Sequence, residues 1–363
     1  MIRFGRLGDT VMLSALLHLL HLRFHRPCVV IGAGAWNTAL FADHPDVARA
    51  WSFPRHFPIE LTLTWWRAVW ALRRTAPGPV YICEYMPKQL ARIRRLLAFS
   101  GVAPERCVFI TEERPDADDH WIDRQLRLGE RTPPALRAAD YPLPPPGAGG
   151  SAPRLRVSDA ERAALDAWLA GQGWAARPLV LVQPGNYRSM RRRRDAAAVD
   201  MDSKAWPAER WVSLLHQVHA AVPDALLLLC GAPQEGRMLQ ELAAEAAMPQ
   251  VKVAELPLRR LLALCELAHS MISVDTGPAH AAAALGVPLV VMYGAELPRQ
   301  WLPRSPCGSP VVAVGGPPRS GRVDQIAVDE VFSAWRDMLA TLPPQRTSRG
   351  ACEVRHKSES STR

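Results

Sequence analysis

The chain has 363 residues and is 48% hydrophobic, enough for two domains that each bury a core. Lys and Arg outnumber Asp and Glu by 44 to 35, and the formal charge of +9 suits an anionic partner such as phosphate, nucleic acid or an anionic lipid surface without naming one. Seven cysteines with no C-x-x-C speak against a disulfide framework and a cysteine zinc site and fit a reducing cytosol.

The opening "MIRFGRLGDTVMLSALLHLLHLRFHR" is not read as a signal peptide, because Asp9 and His18 interrupt its apolar run and no A-x-A site follows. Met12, Ala15, Leu16, Leu19 and Leu22 instead recur at helical spacing, which predicts an amphipathic helix over about 10–24. A strand at 28–32, helices near 36–43 and 62–75, a strand at 80–83, a helix near 88–99 and a strand at 107–110 follow. The proline- and glycine-rich stretch "YPLPPPGAGGSAPR" marks a linker, set at 142–154 between an N-terminal domain, 1–141, and a C-terminal domain, 155–342. Beyond it the pattern returns. Helices are expected at 158–170, 207–221, 234–246, 258–268 and 278–285, and strands at 179–183, 225–231, 251–255, 271–274 and 289–294. Residues 343–363 lack large apolar side chains and read as a disordered tail. No stretch reaches the ~18 to 20 apolar residues of a membrane span, so any membrane attachment is expected to be peripheral. Alternating strands and helices predict α/β domains with parallel sheets, whose ligands bind just beyond the carboxyl ends of strands.

Three such places carry candidate chemistry. In "RLGDT", residues 6–10, a glycine precedes Asp9 at a helix start, so the carboxylate serves either a ligand or the helix cap, and the two roles are compatible. Ionised beside a helix N-terminus, Asp9 is expected to be a weak base. In "SKAWPAERW", residues 203–211, Lys204 stands just before a helix start and is a candidate phosphate ligand, against the alternative of a solvated surface lysine. In "SVDTGPAHAAAALGVP", residues 273–288, Asp275 ends a strand, Thr276 and Gly277 form a turn, and Pro278 opens a helix. Amides there, the Thr276 hydroxyl and the His280 ring N–H suit a diphosphate, although a histidine so placed is, taken alone, more often a core residue than a ligand.

Two further patterns are set aside. "VVIGAGAWN" places Asn37 where a dinucleotide fingerprint needs its third glycine, and "DADD", residues 116–119, lies in a polar segment and reads as a solvated loop.

In this order the motifs "RLGDT", "KAWPAERW" and "SVDTGPAHAAAALGVPLVVMYG" resemble glycosyltransferase family 9, the ADP-heptose:lipopolysaccharide heptosyltransferases of Gram-negative bacteria, over roughly residues 1 to 340. The resemblance implies a GT-B fold, two Rossmann-like domains facing across a cleft, with the acceptor in the N-terminal half and the donor in the C-terminal half. It implies Asp9 as catalytic base, Gly8 and Thr10 in an acceptor-side loop, and Lys204 near the donor phosphates. It also sets Asp275, Thr276, Gly277 and His280 around the diphosphate and sugar, and Glu235 on the nucleoside. The implied reaction is inverting transfer of heptose from ADP-heptose to a lipopolysaccharide core acceptor, with no cofactor and no metal. The implied partners are the nucleotide sugar and an anionic lipid-linked glycan. The implied place is the cytoplasm, with peripheral contact at the inner face of the inner membrane, and nucleic acid is not a partner.

Two departures stand out. The first strand is shortened to "MIRF", pointing to a misplaced start or a thin sheet edge, and the segment between Gly185 and Lys204 is long and basic, with Arg191 to Arg194 suited to an anionic acceptor or membrane. Arg67, Arg73, Arg92 and Arg94 of the first half either meet sugar acids or phosphates or are merely solvated. The alternatives are another nucleotide sugar or a protein acceptor, and, in a different class, a non-catalytic nucleotide- or RNA-binding protein. The last needs aromatics interleaved with its cations, which "RRRRDAAAVD" lacks.

Overall fold

The structure, a computed structural model, describes all residues except 55–57, 75–77, 115, 117, 176, 187–202 and 343–363. The tail and Arg191 to Arg194 therefore lie outside the described residues. The chain divides into two compact units, Met1–Arg156 and Val157–Arg363.

The first unit holds β1 (Ile2–Arg3), α1 (Leu7–Phe24), β2 (Cys28–Ala33), α2 (Trp36–Leu40), β3 (Val47–Phe53), α3 (Leu63–Arg74), β4 (Val80–Ile82), α4 (Pro87–Phe99), β5 (Cys107–Phe109) and α5 (Trp121–Glu130). Its five strands run parallel in the order β3-β2-β1-β4-β5. The two-residue β1 is thus the central strand and no edge, pairing Ile2 with Ile31 on one side and with Ile82 on the other. On one face α3 and α4 pack Trp65, Ala68, Val69, Ile93, Leu96 and Leu97 against Ile2, Phe4, Ile31 and Ile82.

Helix α1 is not amphipathic as its spacing predicts. It is buried from Thr10 to Leu20 around almost its whole circumference, His18 excepted, because α5 packs along it and the chain beyond Tyr141 covers it further. The stretch read as a linker lies on the first unit. The Arg154 N–H donates to Ser14 Oγ at 2.8 Å, and the Arg154 carbonyl lies 2.9 Å from His44 Nε2.

The second unit holds α6 (Asp159–Gln172), β6 (Leu179–Gln183), α7 (Ala208–Ala221), β7 (Leu226–Gly231), α8 (Gly236–Ala246), β8 (Val251–Glu255), α9 (Leu258–Leu267), β9 (Ser270–Val274), α10 (Gly277–Ala284), β10 (Leu289–Tyr293), α11 (Pro298–Trp301), β11 (Val311–Gly315) and α12 (Val328–Ala340). All six strands are parallel, in the order β11-β10-β9-β6-β7-β8. Strands with helices on both faces are buried on both sides, which is why β6, β7 and β10 read as nearly continuous apolar runs. Trp211, Leu214, Leu215 and Val218 of α7 and Val331, Trp335 and Met338 of α12 close one face over Val180, Leu227, Ile272 and Val290.

Each sheet reverses its strand order once, between β1 and β4 in the first unit and between β6 and β9 in the second. At such a switch point the adjacent loops part and leave a crevice beyond the carboxyl ends of the strands. Cys28, Cys83, Cys107, Cys230 and Cys265 are free thiols.

Candidate functional site

In the first unit the switch point is built around Arg3, the last residue of β1. Its guanidinium donates to the Cys83 carbonyl at 2.7 Å and to Asp9 Oδ1 at 2.8 Å, and lies 3.5 Å from Glu84 Oε1. It sits over the rings of Tyr85 and Trp121, 5.1 and 5.3 Å from their centroids, a cation–π arrangement on two sides. Only 4% of Arg3 is exposed. Burial alone lowers its affinity for the proton, but Asp9, Cys83 and Glu84 outweigh that and hold it above the ordinary arginine value. Glu84 accepts the amides of Phe4, Tyr85 and Met86 at 3.2, 3.0 and 3.1 Å, tying the end of β1 to the start of α4.

Asp9 is the third residue of α1 and its Oδ2 accepts the Arg6 N–H at 2.7 Å, so it does cap the helix. A carboxylate offers about four lone-pair sites, so contacts to Arg3 and Arg6 do not by themselves exhaust what Asp9 can accept. Gly5 is required beside it, since a Cβ there would meet Asp9 Cβ at 2.5 Å and Arg3 Nε at 2.7 Å. Gly8 and Thr10, read as an acceptor-side loop, lie instead inside α1, which begins at Leu7. The Thr10 hydroxyl turns back to the Arg6 carbonyl at 2.9 Å.

In the second unit the switch point is the turn between β9 and α10. Thr276 is the N-cap of α10, in extended backbone, and makes no side-chain cap to the helix. The first-turn amides and the positive end of the helix dipole therefore face outward from the strand ends, an arrangement that binds anions. Lys204 Nζ donates to Asp275 Oδ2 and reaches the Asp275 carbonyl at 3.4 Å, so this lysine is held on the turn and is not a solvated surface residue. His280 is 4% exposed with Nε2 3.9 Å from Asp275 Oδ1, and Ser273 Oγ lies 3.3 Å from Thr276 Oγ1. Alanines 279 and 281 to 284 are buried, which lets α10 lie against the sheet.

Lys204 reaches this turn because the backbone at Ser203 rests on the end of β10. A Cβ on Gly294 would stand 2.0 Å from the Ser203 carbonyl oxygen, which also accepts the Val323 N–H at 2.8 Å. Pro207 stands one place earlier than its sequence signal suggests, as the extended N-cap of α7. Glu235, at the end of β7 and its turn, is buried, with Oε2 accepting the Ala232 N–H at 2.9 Å.

The structure thus brings Lys204, Asp275, Thr276, Gly277 and His280 together. Sequence reading passed over Arg3, Glu84 and Tyr85, and, at the end of β6, the buried Gln183 and Asn186. A charged residue inside an apolar strand and an acid directly after one were the available signals. Asp116 and Asp118 of "DADD" are exposed, and Asp119 pairs with Arg127. Among the described residues no group of three His, Cys, Asp or Glu side chains is placed to hold a metal ion, and no helix is long and apolar enough to cross a membrane.

The family model for glycosyltransferase family 9 (heptosyltransferase) matches residues 110–317, which include Lys204, Glu235 and the turn of 275–280 and leave Asp9 upstream. The E. coli ADP-heptose lipopolysaccharide heptosyltransferase II is similar in structure, with a TM-score of 0.69, 19% identity, and 93% of this chain and 97% of that chain covered. A glycosyl transferase family 9 protein from Veillonella parvula gives 0.69 at 14% identity, covering 94% and 96% of the two chains. An E. coli heptosyltransferase solved with ADP gives 0.61 at 18% identity, covering 93% and 98%. At these identities the likeness establishes the fold, that of the GT-B class with two Rossmann-like domains. No curated protein matches the chain.

Proposed function

The chain belongs to glycosyltransferase family 9 (heptosyltransferase), and from that membership we propose that it is an inverting transferase moving heptose from ADP-heptose to a lipopolysaccharide core acceptor. Membership of a family of glycosyltransferases favours transfer over the non-catalytic nucleotide- or RNA-binding alternative. The observation that carries the donor side of the proposal is the pairing of Lys204 with Asp275, which fixes a cation at the N-terminus of α10.

In the proposed reaction Asp9 takes the proton of the acceptor hydroxyl. The hydroxyl oxygen bonds to the anomeric carbon from the side opposite the diphosphate, and the bond from that carbon to the diphosphate oxygen breaks. The departing charge meets Lys204, the Thr276 hydroxyl, the first amides of α10 and the His280 ring, an electrostatic contribution of about 3 to 4 kcal/mol per well-placed donor. Glu235 contacts the nucleoside. Asp9 is held by Arg3, and in the proposed scheme its proton transfer comes late, after bond formation has acidified the hydroxyl. No cofactor and no metal enters the scheme. The acceptor is an anionic lipid-linked glycan, met at the cytoplasmic face of the inner membrane.

The test is transfer from purified ADP-heptose to a heptose-deficient core acceptor, with the product weighed by mass spectrometry beside a panel of other nucleotide sugars. Asp9→Asn is expected to lose about 10² to 10⁴ in rate. Transfer from another nucleotide sugar alone overturns the donor, and an unchanged Asp9→Asn rate overturns the base.

A further inference from the structure

Helix α3, "LTWWRAVWALRR", puts Trp65, Ala68 and Val69 into the core and leaves its other side unlike an ordinary solvated face. Leu63, Trp66 and Trp70 are 65%, 50% and 56% exposed, Leu61 just ahead of them is 74% exposed, and Phe99 at the end of α4 is 47% exposed. These are not scattered singly. Trp66 and Phe99 meet edge to face at 5.8 Å, and the Arg73 guanidinium binds the Phe99 carbonyl at 3.0 Å, so the exposed apolar groups of the two helices are joined. Clustered exposed aromatics of this kind mark a surface with a partner, where isolated ones do not.

The charge carried by the two helices is of one sign. Neither α3 nor α4 contains an Asp or Glu, while α3 carries Arg67, Arg73 and Arg74 and α4 carries Lys88, Arg92, Arg94 and Arg95. Beside the two helices Glu60 stands 2.9 Å from Arg95. Arg74 lies over the Trp70 ring at 3.7 Å, which lets the ring and the cation sit at the same level of a surface.

We propose that the outer face of α3 and α4 docks on an anionic phospholipid bilayer. Tryptophan settles at the headgroup level of a bilayer, where its ring is apolar and its N–H stays hydrated, and arginine extends along the same depth to meet lipid phosphates. A second copy of the chain fits poorly, because a two-fold contact of this face with itself sets arginines against arginines. The surface stands on exposure and charge alone. Only its use, holding the enzyme where a lipid-linked acceptor lies, rests on the proposed reaction.

The test is cosedimentation of the full chain with phosphatidylcholine vesicles, with and without phosphatidylglycerol. Partition is expected only with phosphatidylglycerol, weakening with salt as exposed charges are screened. Trp66→Ser with Trp70→Ser, and separately Arg67→Gln with Arg74→Gln, are each expected to weaken partition about tenfold with an unchanged circular dichroism spectrum. Equal partition to both kinds of vesicle, or variants that bind like the parent, overturns the proposal. So does a dimer in light scattering that the tryptophan substitutions dissolve, since it names a second copy as the occupant. A parent protein that binds anionic vesicles but transfers nothing from ADP-heptose refutes the reaction and leaves the surface standing.

Discussion

The Arg3 guanidinium holds the Asp9 carboxylate at 2.8 Å from a position enclosed by Tyr85, Trp121 and Glu84. Arg3 acts through Asp9 and is a positioning residue. Arg3→Met leaves two carboxylates facing a buried gap, and breaking such a pair costs about 3 to 5 kcal/mol. Arg3→Lys keeps the charge but not the fork that reaches Asp9 and Cys83 together. With Arg3→Lys, kcat is expected to fall about 10- to 100-fold while the donor KM stays near its parent value, since misplacement of a reacting group is felt in the chemical step. A rise in donor KM with unchanged kcat contradicts this.

Gly294→Ala places a methyl 2.0 Å from the Ser203 carbonyl oxygen, and backbone cannot yield as a flexible side chain can. Ser203 must move, and Lys204 with it. Donor affinity is expected to fall at least about tenfold by calorimetry, the size of one charge-assisted contact. Gly171→Ala in α6 is the control. Nothing lies within 4 Å of a Cβ there, so it is expected to stabilise the helix by about 0.5 to 1 kcal/mol and leave donor affinity alone.

Glu161 caps α6 through Ser158 and pairs with Arg259. The Arg259 hydrogen bond, assisted by Ser158 and opposed by burial, holds its carboxyl down at about 2 from an ordinary 4.5. The unfolded chain therefore takes up this proton first as pH falls. The stability due to Glu161 is complete above pH 4.5 and is lost between 4.5 and about 2. Melting curves of the parent are expected to drop through that window, and those of Glu161→Gln to start lower at neutral pH and drop less. Parallel curves contradict the pairing.

Much of the second unit is legible in sequence because its strands are covered on both faces. "LVLVQ", "LLLLCG" and "LVVMYG" have no polar alternation to confuse with a helix, and Pro207, Pro278 and Ser158 announce helix starts. The edge strand β3, "VARAWSF", escapes notice because its partly exposed side chains include a charge. The false fingerprint after β2 is explained by α2, a helix of only 5 residues, and by Asn37, which donates to the Trp51 carbonyl at 2.7 Å.

The Lys204 to Asp275 pairing was legible as two motifs near strand ends. The Arg3 to Glu84 pairing was not, because the two residues are far apart in the chain and meet only through the parallel pairing of β1 with β4. Exposure of Trp66 and Trp70 was equally hidden. Helical spacing says which residues share a face of α3, and only packing says that the face of Trp65 is the one buried.

The most direct test of the donor seat is calorimetric titration of ADP and of adenosine into the parent protein and into Lys204→Met. ADP is expected to bind the parent more tightly than adenosine, and Lys204→Met to shrink that difference by about 10- to 100-fold while adenosine binding is retained. A gap between ADP and adenosine that survives intact in Lys204→Met contradicts a diphosphate held by Lys204 at the N-terminus of α10.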